Sequence, residues 1–398
     1  MKPYSLTPIL GMNNAQPDEA LRSSGGQGQS SATQVRDAVN VDIDDTGTVS
    51  MRAGLRKLTD MPLKNLWQSP LHGDSFGTLG DQWVKVNPQN WATEPLATIG
   101  EGRAAHVVLN NVVLVAGAAG LLTFDGMKAV PLTLAKPASP MVAAGAGSLP
   151  GGKYGVAVAW MRGNLESPLS PMTTCTVPDG GGLEITFPLA LDSTVTGVRL
   201  YLTRQNGGEL NRAGDYPAGL AQVSVPLLPK PGAAAQWQHM EPMPTGPHLG
   251  VWQGRLVTAS TNVLRFSEAM AYHVHDPRHG FVQMPQRITF VAPVDGGIWV
   301  GQVDHVAFLS GNTPQELGML RKTAKAPVPF SVVYLDSETA GEVSGGGAAV
   351  VAWLADNGFV LGSPGGQVME TQAKRLKGIR GQSATCVGFG GRLTAAIT

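Results

Sequence analysis

The sequence predicts an all-β chain: a β-propeller of about five to six blades with an inserted small β-sandwich. Three observations carry this. First, a short apolar run, a Gly- or Asn-containing turn and a second apolar run recur at 104–126, 249–268, 291–312 and 348–366. The pairs Asn110-Asn111, Gln253-Gly254, Gly296-Gly297 and Asn357-Gly358 fall where a hairpin must reverse. Second, the chain of 398 residues holds 51 Gly and 29 Pro, so few segments stay free of helix breakers long enough for a long helix. Third, the pattern breaks between two Pro/Gly/Ala linkers, KPASPMVAAGAGSLPGG (136–152) and PLLPKPGAAAQ (226–236), and then resumes. Hairpins repeated around an axis describe propeller blades, and an interrupted array describes a domain inserted in a loop.

Taken in order, residues 1–36 are polar and rich in Gly, Ser and Gln, without sustained periodicity, and read as a flexible arm that orders only on a neighbour. Residues 37–136 form the first part of the blade array. It opens on a hairpin in which Val39, Val41 and Ile43 alternate, Asp45-Thr46-Gly47 turns, and Val49 and Met51 return. Residues 71–99 and 104–132 follow as blades. Residues 137–230 are the sandwich, with Tyr154, Val156, Val158 and Trp160 alternating along one strand. Residues 231–398 complete the array. The last strand, 390–398, is expected to pair with 38–43 and close the ring, because an open array leaves strand edges unpaired.

Charged residues make up only 15% of the chain and the net charge is zero, which argues against a dedicated nucleic-acid surface. The basic strips 55–64 and 373–381 read as solvated surface. Cys175 and Cys386 stand far apart and in no ligand spacing, as expected of two free thiols. The N-terminus lacks the charged head and apolar core of a signal peptide, and no run of 18 apolar residues occurs, so no membrane insertion is expected.

Two stretches carry a family resemblance. Gly254-Arg255-Leu256-Val257-Thr258-Ala259, followed by Leu264-Arg265-Phe266-Ser267-Glu268, resembles a blade motif of tail hub and nozzle proteins of short-tailed bacteriophages. Asn40, Asp42, Ile43, Gly47, Val49, Arg52 and Gly54 resemble the opening of their first blade. Within 137–230, Gly152-Lys153-Tyr154-Gly155-Val156, the Glu166-Ser167-Pro168 corner and Val195 through Arg204 resemble phage fibronectin-III-like modules. The resemblance implies a virion structural protein of the tail, assembled in the bacterial host cytoplasm. It implies a homo-oligomeric ring, with a hexamer favoured, that contacts the portal or adaptor and other tail proteins. DNA would pass non-specifically through the lumen at ejection. The chain is shorter than many nozzle proteins, so one or two family insertions are missing. The same blade-plus-sandwich plan could serve a baseplate or tail-tip protein of a long-tailed phage, and a receptor- or glycan-binding module of a phage tail is the other alternative.

No catalytic motif appears, and neither enzyme activity nor a cofactor is expected. The densest polar cluster, Tyr272-His273-Val274-His275-Asp276-Pro277-Arg278-His279, places two imidazoles two residues apart on one strand face, a spacing compatible with metal. With no cysteine partner and no repeat, the plainer reading is a rim loop. His273, His275, Asp276, Arg278 and His279, with Asn312 and Gln315 in the loop 311–325, are the candidate subunit or partner contacts. Asp42, Asp44, Asp45 and Gly47 imitate a calcium loop, but its twelfth position falls on Ala53 and strands flank it, so a tight turn is expected. A glycan-cleaving propeller would need paired carboxylates; Asp304, Asp336, Glu338 and Glu342 are candidates that nothing in the sequence pairs. Trp83, Trp252, Trp299 and Trp353 occupy comparable blade positions, which favours packing between blades over a sugar platform. Trp91 and Trp160 share no such position.

Overall fold

The computed structural model describes residues 9–23, 32–44, 46–54, 56–70, 73–344, 347–389 and 392–398. The chain divides into two compact units, one of residues 1–62, 89–91 and 284–398, the other of 63–88 and 92–283. It is all-β, built of propeller blades with an inserted sandwich.

In the second unit, sheet A is a four-stranded antiparallel meander of Lys64–Gln68, Ser75–Leu79, Gln82–Val86 and Thr93–Thr98. Sheet B repeats the plan with Ala105–Leu109, Val112–Gly117, Gly120–Phe124 and Ala129–Pro131. Sheet C runs His248–Trp252, Arg255–Ser260 and Val263–Glu268, whose outer edge is shared by Ala271–His275 and Phe281–Gln283. In the first unit, sheet D comprises Ile288–Val294, Gly297–Gln302, Val306–Ser310 and Gly318–Lys322. Sheet E comprises Val333–Leu335, Val350–Ala355, Gly358–Gly362 and Val368–Glu370. The reversals use the predicted residues: Asn110 and Asn111 (φ 49° and 62°) and Gln253 and Gly254 (φ 47° and 68°) supply the paired positive φ values of a two-residue hairpin.

Aromatic side chains weld neighbouring sheets. Phe76 and Trp83 of sheet A meet Phe124 of sheet B at ring-centroid distances of 5.8 and 6.2 Å. Trp299 of sheet D lies 5.4 Å from Trp353 of sheet E, and both are fully buried. Leu109, Leu114 and Leu121 of sheet B share a core with Met243 and Leu256 of the sheet C segment. Sheets B and C therefore pack directly, although the sandwich lies between them in sequence. That is the geometry of an insertion.

The sandwich pairs a three-stranded sheet (Met141–Leu149, Gly181–Thr186, Gln222–Val225) with a five-stranded one centred on Gly152–Arg162 and Gly197–Leu202. Tyr154, Val156, Val158 and Trp160 point into its core, as their alternation predicted. Trp160 is thus a core residue, and Trp91 is half-buried.

Two expectations are corrected. Over its described residues, the N-terminal segment is not a free arm. Ile9–Met12 and Arg22–Ser23 flank Ala32–Val35 in a small sheet. Asn13 is buried, donates to Gln34 Oε1 (2.6 Å) and accepts the N–H groups of Ala15 and Gln16. Asn14 exchanges two hydrogen bonds with the backbone of Lys377. Polar side chains order this segment, and a search for apolar periodicity does not register them. The ring-closing pair is also absent among the described residues. Arg392–Ile397 pairs with Ala384–Phe389, and Val41–Ile43 with Val49–Met51. A partner strand adjacent in sequence closes a far shorter loop than a strand at the other end of the chain. In the opening hairpin, Asp44 Oδ1 accepts the N–H groups of Thr46 and Thr48, as the tight-turn reading requires; Asp45 lies outside the described residues.

Two measurements test this packing. A Cβ at Gly362 would sit 2.7 Å from both Trp299 and Trp353. Gly362→Ala is therefore expected to lower unfolding free energy by about 1–3 kcal/mol in urea titrations. His106 stacks on Trp67 (5.3 Å, 6°), and its Nε2 accepts the Trp83 indole N–H at 3.1 Å. Burial lowers its pKa from 6.5 to about 3, so it stays neutral in the fold. The unfolded chain then binds the extra proton first. Stability is complete above about pH 6.5 and falls as pH drops toward 3, by up to about 2 kcal/mol near pH 5. His273 and His275, also lowered chiefly by burial, add to the same slope. His106→Gln should flatten it measurably.

Candidate functional site

The most connected polar site lies where the sandwich meets sheet C. The strand Gly152–Arg162 turns at Gly163 (φ 56°) and returns through Leu165–Glu166 to the Glu-Ser-Pro corner. Ser167 and Ser170 are buried there, and their hydroxyls accept the N–H groups of Trp160 (2.8 Å) and Val158 (3.0 Å). Two side chains thus continue the ladder where the edge strand leaves it.

Glu166 is the hub. Its carboxylate accepts from Arg199 Nη1 at 2.6 Å and from the Tyr201 hydroxyl at 2.5 Å. Arg199 also makes a two-point contact with Asp215, at 2.8 and 3.0 Å, which holds its guanidinium charged. Asp215 is held below the usual carboxylate range by the same contact. Burial, then the bond to Glu166, pushes the Tyr201 phenol up. The E-S-P and R-L-Y motifs are therefore two halves of one partly buried ion network.

The backbone carbonyl of Glu166 bonds His273 Nε2 at 3.0 Å, and Trp237 meets the His273 ring edge-on at 5.9 Å. Arg162 reaches the carbonyl of Pro131, and Lys136 pairs with Glu241 at 2.6 Å. The module is clamped to the blades at several points.

The predicted cluster 272–279 is distributed differently from a solvent-facing rim loop. His273 lies mid-strand and His275 at the end of Ala271–His275, and each ring nitrogen bonds a backbone carbonyl, that of Glu166 and of Phe266 (3.1 Å). His275 is buried, so it offers no contact surface. Asp276 turns the chain: it accepts from Arg278 through N–H and guanidinium, which lowers its pKa to about 2. Only Arg278 and His279 of the five are exposed. Asn312 and Gln315, exposed around the short turn Pro314–Glu316, belong to the other compact unit. Among the described residues, no three His, Cys, Asp or Glu side chains are placed to hold a metal.

The blade motif has a structural meaning. Arg255 faces Glu268 at 3.5 Å and donates to the Ser267 carbonyl at 2.8 Å. The buried Ser267 hydroxyl accepts the Leu256 N–H at 2.9 Å, beside the register shift at Ser267/Glu268. Leu256 and Phe266 are core. The motif is a splice that lets one strand change partners. Of the four carboxylates considered for hydrolysis, Asp304 bonds His305 Nδ1 at 2.6 Å and Asp336 accepts the Thr339 N–H at 2.7 Å. His305 Nε2 meets the Gln302 amide at 2.8 Å, a chain that ends in an amide and not in a nucleophile.

Blades of four-stranded meanders with an inserted sandwich define this chain as an all-β propeller-type protein. No protein-family profile matches it, and no curated protein does. Among solved structures it is similar to BamB from Moraxella catarrhalis, with 11% identity over 89% of this chain and 86% of that one and a TM-score of 0.35. It is also similar to Kluyveromyces lactis Hsv2, with 8% identity, 84% and 90% coverage and a TM-score of 0.31. Sqt1 from Saccharomyces cerevisiae matches with 12% identity, 83% and 77% coverage and a TM-score of 0.30.

Removing the hub separates structural from peripheral charges. Glu166→Gln leaves Arg199 with one acidic partner in place of two and should cost about 2 kcal/mol by urea unfolding. Lys57→Ala, which removes one partner of the solvent-exposed Lys57–Asp60 pair, should leave the unfolding midpoint where it is.

Proposed function

We propose that the chain is a structural protein of a bacteriophage tail that acts by assembling with copies of itself into a ring, through which viral DNA passes. Unfinished β-structure in the first unit is the observation that carries this reading. The hairpin Val41–Ile43/Val49–Met51 belongs to no larger sheet among the described residues. It leaves Val39 and Met51 exposed at 76% and 82%. A two-stranded hairpin is marginal in water alone and gains stability from a further partner. Gly318–Lys322, the edge strand of sheet D, exposes Met319 and Leu320 in the same way.

The two edges carry opposite charge. Asp37, Asp42 and Asp44 accompany the hairpin, whereas Arg321 and Lys325 accompany the edge strand. Two different, complementary surfaces on one chain favour head-to-tail contacts, which generate rings when the rotation closes. The resemblance of the opening hairpin and of the sheet C motif to phage nozzle proteins supplies the setting. Neither argument calls for catalysis or a cofactor.

The purified chain is expected to form a defined oligomer by light scattering and negative-stain imaging. Val49→Lys with Met51→Lys changes two exposed side chains and should leave the folded protomer intact while dissociating that oligomer. A chain that stays monomeric at every concentration would count against self-assembly.

A further inference from the structure

We propose that the inserted sandwich carries a binding site for an acidic saccharide, with one carboxylate-bearing sugar ring seated in a pocket beside the strand Gly197–Leu202. The pocket has a volume of about 470 Å³, within the range of small-ligand sites. Arg204, Arg212 and Lys230 contribute to its lining, and no carboxylate does. Arg212 is already paired with Asp215. Arg204 and Lys230 are exposed and have no acidic partner among the described residues. Two uncommitted cations facing one cavity call for an anion.

The site is built in advance of any ligand. Arg204 follows Thr203, whose N–H bonds the Gly155 carbonyl (2.9 Å) and whose hydroxyl accepts the Gly155 N–H (2.8 Å). The Gly207 N–H closes a turn onto the Arg204 carbonyl at 2.9 Å. Lys230 stands between Pro229 and Pro231. The segment after it is pinned to the neighbouring strand by Gly232 N–H to the Arg212 carbonyl and Arg212 N–H to the Ala233 carbonyl, both 2.9 Å. Holding both cation-bearing backbones in place cuts the ordering cost of binding.

The rest of the lining selects a sugar. Leu202 and the proline rings give an apolar floor for the C–H face of a pyranose. Gln205 spends its Nε2 on the Gly151 carbonyl (2.7 Å), which leaves its Oε1 to accept a hydroxyl. The one aromatic in the lining, Tyr154, is fully buried with its hydroxyl bonded to the Pro150 carbonyl. It presents no face on which a nucleobase could stack, so single-stranded DNA, the competing polyanion, is disfavoured. The site is independent of the tail-ring reading: a chain that never oligomerises could hold the sugar, and a ring could lack it.

The test is isothermal titration calorimetry of the full chain with three probes: trigalacturonate, the neutral galactose trimer and oligothymidylate. Trigalacturonate is expected to bind, more weakly at high salt, and Arg204→Ala/Lys230→Ala should weaken it at least about tenfold. Both side chains are exposed, and the salt titration on the unmodified chain tests the charge dependence without any substitution. No binding of trigalacturonate would overturn the proposal. So would equal affinity for the neutral trimer, indifference to the double substitution, or a preference for oligothymidylate.

Discussion

Indole rings wedged between successive antiparallel sheets are the constraint on which the rest depends. A four-stranded meander buries only one face well by itself, and its stability comes from the next sheet. Trp83 against Phe124, and Trp299 against Trp353, supply that contact within the two units. These rings fix the composition around them. Gly362 lies where any side chain would strike both Trp299 and Trp353. Gly366 packs against Phe308 in the same manner. Part of the high glycine content is therefore space reserved for aromatic rings.

How far the fold was legible follows from which interactions leave a local pattern. Alternation and paired turn residues do, so the hairpins around Asn110-Asn111 and Gln253-Gly254 could be placed from sequence. The four tryptophans were expected at comparable blade positions. All four are buried, but Trp83 lies on the third strand of sheet A, Trp252 on the first of sheet C, and Trp299 and Trp353 on the second strands of sheets D and E. The N-terminal segment leaves no local pattern, because Asn13 and Asn14 order it through amide hydrogen bonds and not through apolar spacing. Nor does the choice between two partners for the last strand, which depends on loop-closure cost. Arg392–Ile397 took the near one.

The candidate site was legible in its parts and not in its arrangement. Counting histidines two apart put His273 and His275 on one strand face, but gave no sign that each ring would bond a backbone carbonyl. The Glu-Ser-Pro corner and the Arg-Leu-Tyr strand stood out as separate motifs. Their meeting at Glu166 depends on sheet register, which fixes Leu200 opposite Val158 and so brings Arg199 and Tyr201 to the corner. Arg204 ends the same motif and was read only as part of it. Lys230 sat inside a segment read as linker, where proline hides the functional use of a pinned cation.

The insertion explains how a ligand-bearing module can sit on such an array without loosening it. Sheets B and C share a core, so the blade contact does not run through the sandwich. The array needs only that the chain leave and return at nearby points, and loop-closure cost grows slowly with the length inserted. Lys136 in the leading linker and Glu241 after the trailing one meet at 2.6 Å, which fixes those points together. Arg162 on Pro131 and His273 on Glu166 then set the module's orientation from two further directions. A module held at three places moves with its blades. A pocket on the sandwich is thus presented at a fixed angle to sheets B and C, and in an assembly it would be repeated once per copy. Weak affinity at each pocket would then suffice, because linked sites multiply their effect.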